Sequence, residues 1–307
     1  MTLVSLSQCE PKEVIDFLLP YESSCIRLCE LVKNQAQSVM VIFKDERIWG
    51  VLGFESVIVH CLPNVQNLNN EERALLKGQV IENLRRIVGA PEAVPEGTGV
   101  STDPRKAGSP KGRTKKLTSI NGAAAGTDFL VECVEALGES VHYRYDYVLM
   151  EKRSGNCPVD LEAGSGEEIV ACDLHMEEDL MGLQRDYLNV EVAGPGEKMT
   201  DLYVRASLAG ILKNQVMLGM AVDGELVAKA NTSGRGWQFV QIGGVFTHPL
   251  YRRNGYARVL VGVLCNRILR GGKFASLFVK NKNDAAHELY KSMGFLDVGP
   301  WSIAYYR

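Results

Sequence analysis

The chain of 307 residues has no apolar run approaching the length of about 20 residues that a bilayer-spanning helix needs; its longest runs resemble Val259 to Cys265. A membrane span is therefore not expected. The opening segment MTLVSLSQCEPKEV lacks a basic start, an apolar core of signal-peptide length and a small-residue cleavage site, so the expected location is cytoplasmic. Excess positive charge is also missing. Lys and Arg number 34 against 37 Asp and Glu, for a net charge of −3, and no global field draws the chain to nucleic acid. Nor do the eight cysteines contain a C-x-x-C pair. Several, such as Cys61, Cys133 and Cys265, fall in apolar patterns and read as reduced core thiols. Cys25 and Cys29 share one face of an expected helix, but with no His or Cys cluster beside them they read as core and not as metal ligands. What remains is an ordinary globular composition, 46% apolar and 23% charged, and a length that suits two domains of about 150 residues.

The second half gives the clearest pattern. A strand over Glu168–Asp173 precedes helical spacing over Glu177–Asn189, a Gly/Pro loop over Glu191–Lys198 and a second helix over Thr200–Asn214. Strands at Val216–Val222 and Leu226–Asn231 are joined by Asp223-Gly224, a two-residue hairpin signal, and Trp237–Thr247 continues the run. A helix starts at Tyr256 with apolar residues at 259, 260, 263, 264 and 268 and stops at Gly271-Gly272. Then come a strand at Ala275–Val279, a helix at Asn283–Met293 and closing strands over Phe295–Tyr306.

A weaker copy of this order runs through the first half. Helices at Pro11–Leu19 and Glu22–Asn34 lead to strands at Val39–Phe43, Ile48–Phe54 and Val57–Cys61; helices at Glu71–Arg86 and Asp128–Leu137 and a strand at Tyr143–Met150 follow. The pattern predicts two related α/β lobes in tandem, 1–152 and 160–307, joined near Arg153–Pro158. Residues 89–126 are rich in Gly, Pro, Ser, Thr and Lys and read as a flexible loop within the first lobe. Its basic residues, Arg105, Lys106, Lys111, Arg113, Lys115 and Lys116, read as solvated, a nucleic-acid role being the lesser alternative.

The richest signal is GGVFTHPLYRRNGYARVLVGVL, a strand and a short turn that open into an amphipathic helix. Unpaired N–H groups of the first helical turn, the helix dipole and a glycine that admits close backbone approach make an anion cradle, and Arg252, Arg253 and Arg258 add charge. The loop Arg252-x-x-Gly255-x-Ala257 resembles the (Q/R)-x-x-G-x-(G/A) acyl-CoA loop of the GNAT N-acetyltransferase superfamily. Further on, Val279 to Phe295 is similar to that family's second signature, V-x-x-x-N-x-x-A-x-x-L-Y ending in G-F. The resemblance covers about residues 167–307, and the first half resembles a degenerate GNAT lobe with Pro63-Asn64-Val65-Gln66-Asn67 where the loop belongs.

The resemblance implies a splayed mixed α/β sheet with acetyl-CoA as co-substrate. Main-chain groups of Val245, Phe246 and Thr247 would meet the pantetheine; Arg252, Arg253, Asn254, Gly255, Tyr256 and Ala257 would hold the pyrophosphate; Asn283 would hydrogen-bond the cofactor; and Tyr290 would be the general acid. Helical spacing puts Asn283, Ala286 and Tyr290 on one face. Taken alone, Asn283 also reads as a helix N-cap and Tyr290 as a packed ring. The implied activity is N-acyl transfer to an amine, of a small molecule or a protein, without a metal. A non-catalytic CoA sensor or scaffold is the alternative, because Gln241 stands where many members have a Glu base. Glu191 and Glu197 are candidate replacements, and His248 reads as a cap of its turn. The first lobe is expected to be non-catalytic, either shaping the acceptor cleft or binding a separate ligand. Trp49, Trp237 and Trp301 read as core or cleft walls, and a homodimer is left open.

Overall fold

The structure, a computed structural model, describes residues 1–88, 116–159 and 166–307. In the first half, strand β1 (Thr2–Ser5) precedes helices α1 (Pro11–Leu18) and α2 (Ile26–Lys33) and the strands β2 (Val39–Lys44), β3 (Arg47–Phe54) and β4 (Val57–Cys61). Helix α3 (Asn70–Val88), strand β5 (Ser119–Ala123), helix α4 (Ala124–Glu135) and strand β6 (Tyr143–Lys152) complete it. The second half repeats that order: β7 (Glu167–Cys172), α5 (Glu177–Glu191), α6 (Asp201–Asn214), β8 (Met217–Val222), β9 (Glu225–Arg235), β10 (Phe239–Thr247), α7 (Tyr256–Arg270), β11 (Phe274–Lys280), α8 (Asp284–Ser292) and β12 (Leu296–Tyr305).

All these strands join one mixed sheet in the order β1-β2-β3-β4-β5-β12-β6-β11-β10-β9-β8-β7. Exchanging the halves leaves that order unchanged when it is read backwards, so the two repeats face each other across the sheet's centre. There they trade their last strands. β6 of the first half pairs antiparallel with β11 and β12 of the second, and β12 pairs with β5 of the first. Within each repeat one parallel pair interrupts the antiparallel ladder, β4 with β5 and β10 with β11.

Local chemistry explains most of the elements. The β8–β9 hairpin turns at Asp223 and Gly224, both at positive φ (51° and 85°), as the Asp-Gly signal requires. Helix α7 sends Leu260, Leu264 and Ile268 into a core with Val240 and Ile242 of β10 and Leu277 of β11. On the opposite face of the sheet, α5 and α6 pack Leu180, Leu188, Val204 and Leu208 against Met217 and Leu226.

Several expectations need correction. Strands β1 and β5 have no counterpart in the sequence reading. The loop expected over 89–126 overruns at its end, because 119–123 form β5 and α4 begins at Ala124; Arg105, Lys106, Lys111, Arg113 and Lys115 lie outside the described residues. The helix expected from Glu22 starts at Ile26, and Leu19–Ser24, which contains Pro20, forms 3-10 turns instead. Phe295–Tyr306 yields one strand, bulged between Asp297 and Gly299, and not several.

Candidate active site

The register of β10 against β11 runs from Phe239↔Phe274 to Ile242↔Leu277 and stops. Past that point β10 pairs only with β9 and β11 only with β6, so the two strands part and leave a gap. A bulge drives the parting. Gly243 lies opposite Asn231 but Phe246 opposite Lys229, so Gly244 and Val245 share one partner position. Gly244 has φ 60°, and a Cβ there would stand 1.9 Å from Asn231 Oδ1; only glycine fits.

The gap opens into a cavity of about 1050 Å³. Gly243, Gly244, Val245, Val279, Asn283 and Tyr290 line its second-half side. Asn283 Oδ1 accepts from the Ala286 amide at 3.2 Å, so the N-cap role is real and leaves the Asn283 Nδ2 as the donor able to face a ligand. Tyr290 is 6% exposed and packs against Phe295 at 6.1 Å. Burial, with Glu191 and Tyr187 nearby, pushes its hydroxyl well above the ordinary tyrosine range, so it stays protonated at neutral pH and can donate a proton.

At the mouth of the gap, Arg252, Arg253, Asn254 and Gly255 form an exposed turn into α7. Arg253 and Gly255 are left-handed, with φ 69° and 81°. No side chain caps α7, so the amides of its first turn, including those of Tyr256 and Ala257, have no partner within the helix. A Cβ at Gly255 would meet nothing within 4 Å, so the space above the turn is open. The Arg252 Nε donates to Thr247 O at 3.1 Å and its guanidinium lies 5.8 Å from the centre of the Phe246 ring, which ties the turn to the end of β10. The Tyr256 ring is buried and its hydroxyl donates to Glu167 at 2.6 Å, so its amide is what it can offer a ligand.

The same place in the first repeat is closed. Helix α3 starts with a reciprocal cap, the Glu72 amide donating to Asn69 Oδ1 at 2.9 Å and the Asn69 amide to Glu72 Oε2 at 3.3 Å. A carboxylate already occupies that helix start. Between β4 and β5, the buried His60 ring fills the space beside Gly122 and Gly126, where an added Cβ would come within 2.2 and 2.4 Å of it. His60 Nε2 lies 3.0 Å from Thr127 Oγ1. At the seventh residue of α4, matching Tyr290 in α8, stands buried Leu130.

Of the candidate bases, Glu191 lines the cavity with its carboxylate 3.3 Å from Lys280 Nζ. Glu197 does not line it. It pairs with His142 at 2.9 Å and Arg307 at 3.0 Å, and these partners lower its pKa. Gln241 sits on the cavity wall. His248 takes the cap position of a 3-10 turn, its carbonyl accepting from the Tyr251 amide at 2.9 Å, but its side chain makes no capping hydrogen bond. Trp301 is a cavity wall, stacked on Phe278 at 4.0 Å, whereas Trp49 and Trp237 pack against first-half cores. Cys25 and Cys29 are buried in the first-half core with sulfurs 3.9 Å apart, and no metal-binding cluster occurs among the described residues. No helix among them is long and apolar enough to cross a membrane.

The sequence reading set the first lobe beside the cleft but named none of its cavity residues. Arg27 and Glu30 of α2 and Tyr147 of the exchanged β6 line it, and the Tyr143, Tyr145 and Tyr147 alternation was the available signal. Tyr143 and Tyr145 donate to Val192 O and Ala193 O at 3.2 and 2.5 Å, holding the loop between α5 and α6 in place. Glu22, fully buried, accepts from the amides of Gln238 and Phe239, each at 2.8 Å.

A parted parallel pair with an uncapped, glycine-led helix at its mouth defines a class. The second half of the chain carries a GNAT acetyltransferase domain: residues 184–295 match the sequence profile of the Acetyltransferase (GNAT) family. Along its whole length the fold is that of tandem GNAT proteins. A tandem GNAT protein from the clavulanic acid biosynthesis pathway aligns over 99% of this chain and 98% of its own at 12% identity and TM-score 0.55. A Drosophila protein aligns over 99% and 97% at 14% identity and TM-score 0.59. An acetyltransferase of the GNAT family from Novosphingobium aromaticivorans aligns in part, over 55% of this chain and 66% of its own, at 22% identity and TM-score 0.42. No curated protein matches the sequence.

Proposed function

We propose that the protein is an N-acetyltransferase that carries an acetyl group from acetyl-CoA to an amine, with one active site per chain in the second lobe, 160–307, and a non-catalytic first lobe, 1–152. The observation that carries this reading is the contrast between two equivalent helix starts. That of α7 is uncapped, basic and open above Gly255, while that of α3 is filled by Glu72.

The amides of residues 252–257 would hold the pyrophosphate, and the backbone of Val245 to Thr247, with Asn283 Nδ2, the pantetheine. A neutral amine entering between α2, β6 and α5 attacks the thioester carbon. The Val245 amide donates to the oxyanion, and Tyr290 gives its proton to the departing thiolate. Water beside Glu191 takes the amine's proton, since Gln241 cannot. Cavity size supports an acceptor bound alongside the pantetheine arm, because about 1050 Å³ exceeds the roughly 300–1,000 Å³ common for one small ligand.

Acetyl-CoA titrated by calorimetry, followed by thiol release over a panel of small and peptide amines, tests the proposal. Micromolar binding with turnover on at least one amine is expected. Binding without turnover on any amine would favour the sensor reading that Gln241 motivates, and absence of binding would end both.

A further inference from the structure

Lys229 lies midway along β9, fully buried. Its Nζ donates to Gly244 O at 2.9 Å and sits 4.3 Å from the centre of the Tyr187 ring of α5. No carboxylate pairs with it among the described residues. An ammonium buried without a counter-charge is costly to the fold, and Met in its place would fill a similar volume without that cost. The residue it grips is the one that matters most to the gap. Gly244 heads the bulge that separates β10 from β11.

We propose that Lys229 is a positioning residue for acyl transfer: by holding the Gly244 carbonyl it fixes the bulge so that the Val245 amide points at the thioester carbonyl. The inference rests on the acetyltransferase reading above. Held by Lys229 at its oxygen, the peptide that joins Gly244 to Val245 resists rotation, and the donor to the developing oxyanion is set before substrate arrives. The positive charge at Gly244 O also polarises the peptide group that links it to the Val245 N–H, which strengthens that donor.

The charge gives the experiment its handle. Burial pulls the Lys229 ammonium down to about 7. The groups packed on it titrate elsewhere: burial pushes Tyr187 of α5 up to about 12 and Cys172 of β7 up to about 11.

The test follows the infrared carbonyl band of acetyl-CoA labelled with carbon-13 at the thioester carbonyl, bound to the full-length wild-type protein and to Lys229→Met. With the wild type, the band should move to lower wavenumber on binding, and that displacement should fade as pH rises through about 7. Lys229→Met should bind with an affinity within about threefold of wild type, show most of the displacement lost and no pH dependence, melt no lower than wild type, and lose about tenfold or more in kcat on the best amine of the panel. A Lys229→Met protein with the wild-type band and kcat overturns the positioning role and leaves the acetyltransferase reading standing. Should that variant not fold, a wild-type band that is constant from pH 6 to about 8.5 overturns it equally. A wild-type protein that does not bind acetyl-CoA overturns both.

Discussion

Tyr290→Phe removes one oxygen and separates two roles for the same ring. The hydroxyl has no hydrogen-bond partner among the described residues, and the ring keeps its contact with Phe295. Its loss therefore orphans no protein group, and the folded state should lose less than about 1 kcal/mol. A general acid contributes roughly 10²–10⁴ in rate, or about 3–5 kcal/mol of transition-state stabilisation at about 1.4 kcal/mol per decade. Because burial holds the Tyr290 hydroxyl protonated, the wild-type contribution should not fade between pH 6 and about 9. Thiol release in steady state gives kcat, calorimetry gives the acetyl-CoA affinity, and a thermal melt gives stability. The expected result is kcat down by at least about 100-fold, affinity within about threefold and a melting temperature within about 3 °C. A kcat within threefold of wild type would refute the acid assignment, and a large drop in melting temperature with matching losses would return Tyr290 to a packing role.

Gly255→Asp places a carboxylate at the left-handed entry to α7, where space is open; acetyl-CoA affinity should fall at least about tenfold by repulsion at the pyrophosphate cradle, and unchanged calorimetric binding would count against that cradle. His60 is held at a pKa of about 3, against 6.5, by burial, so below 6.5 the unfolded chain takes up a proton that the folded one refuses. Stability should therefore drop as pH falls, by about 2 kcal/mol from 6.5 to pH 5 at about 1.4 kcal/mol per unit. Urea midpoints across that range, compared with His60→Gln, which should lack this slope, check it; parallel slopes would refute it. A fragment of 153–307 lacks β6 and should be insoluble or unable to bind acetyl-CoA, and co-expression with 1–152 should restore binding. A fragment that melts cooperatively alone and binds as the full chain does would show that the exchanged strand is dispensable.

Much of the second half was legible because its signals are local. Asp223-Gly224 sets a turn by backbone conformation alone, Gly255 and the apolar spacing of α7 announce a helix start, and Asn283 to Tyr290 sit on one short helix. First-half elements with poor local propensity were not legible. Ser119-Ile120-Asn121-Gly122-Ala123 carries three strand-averse residues and reads as loop, yet it is held straight between β4 and β12. Gly122 is needed there because His60 presses on it, a pairing that nothing near either residue announces. The exchange of β6 and β12 is less readable still, because register between distant strands follows from which faces need covering and not from the residues of either strand. Yet that exchange decides how the site is built. β6 carries Tyr147 onto the cavity wall and sends Tyr143 and Tyr145 to the loop after α5. The half whose gap is plugged by His60 thus supplies part of the cavity wall of the half whose gap is open, and under the proposed function that wall is the acceptor side.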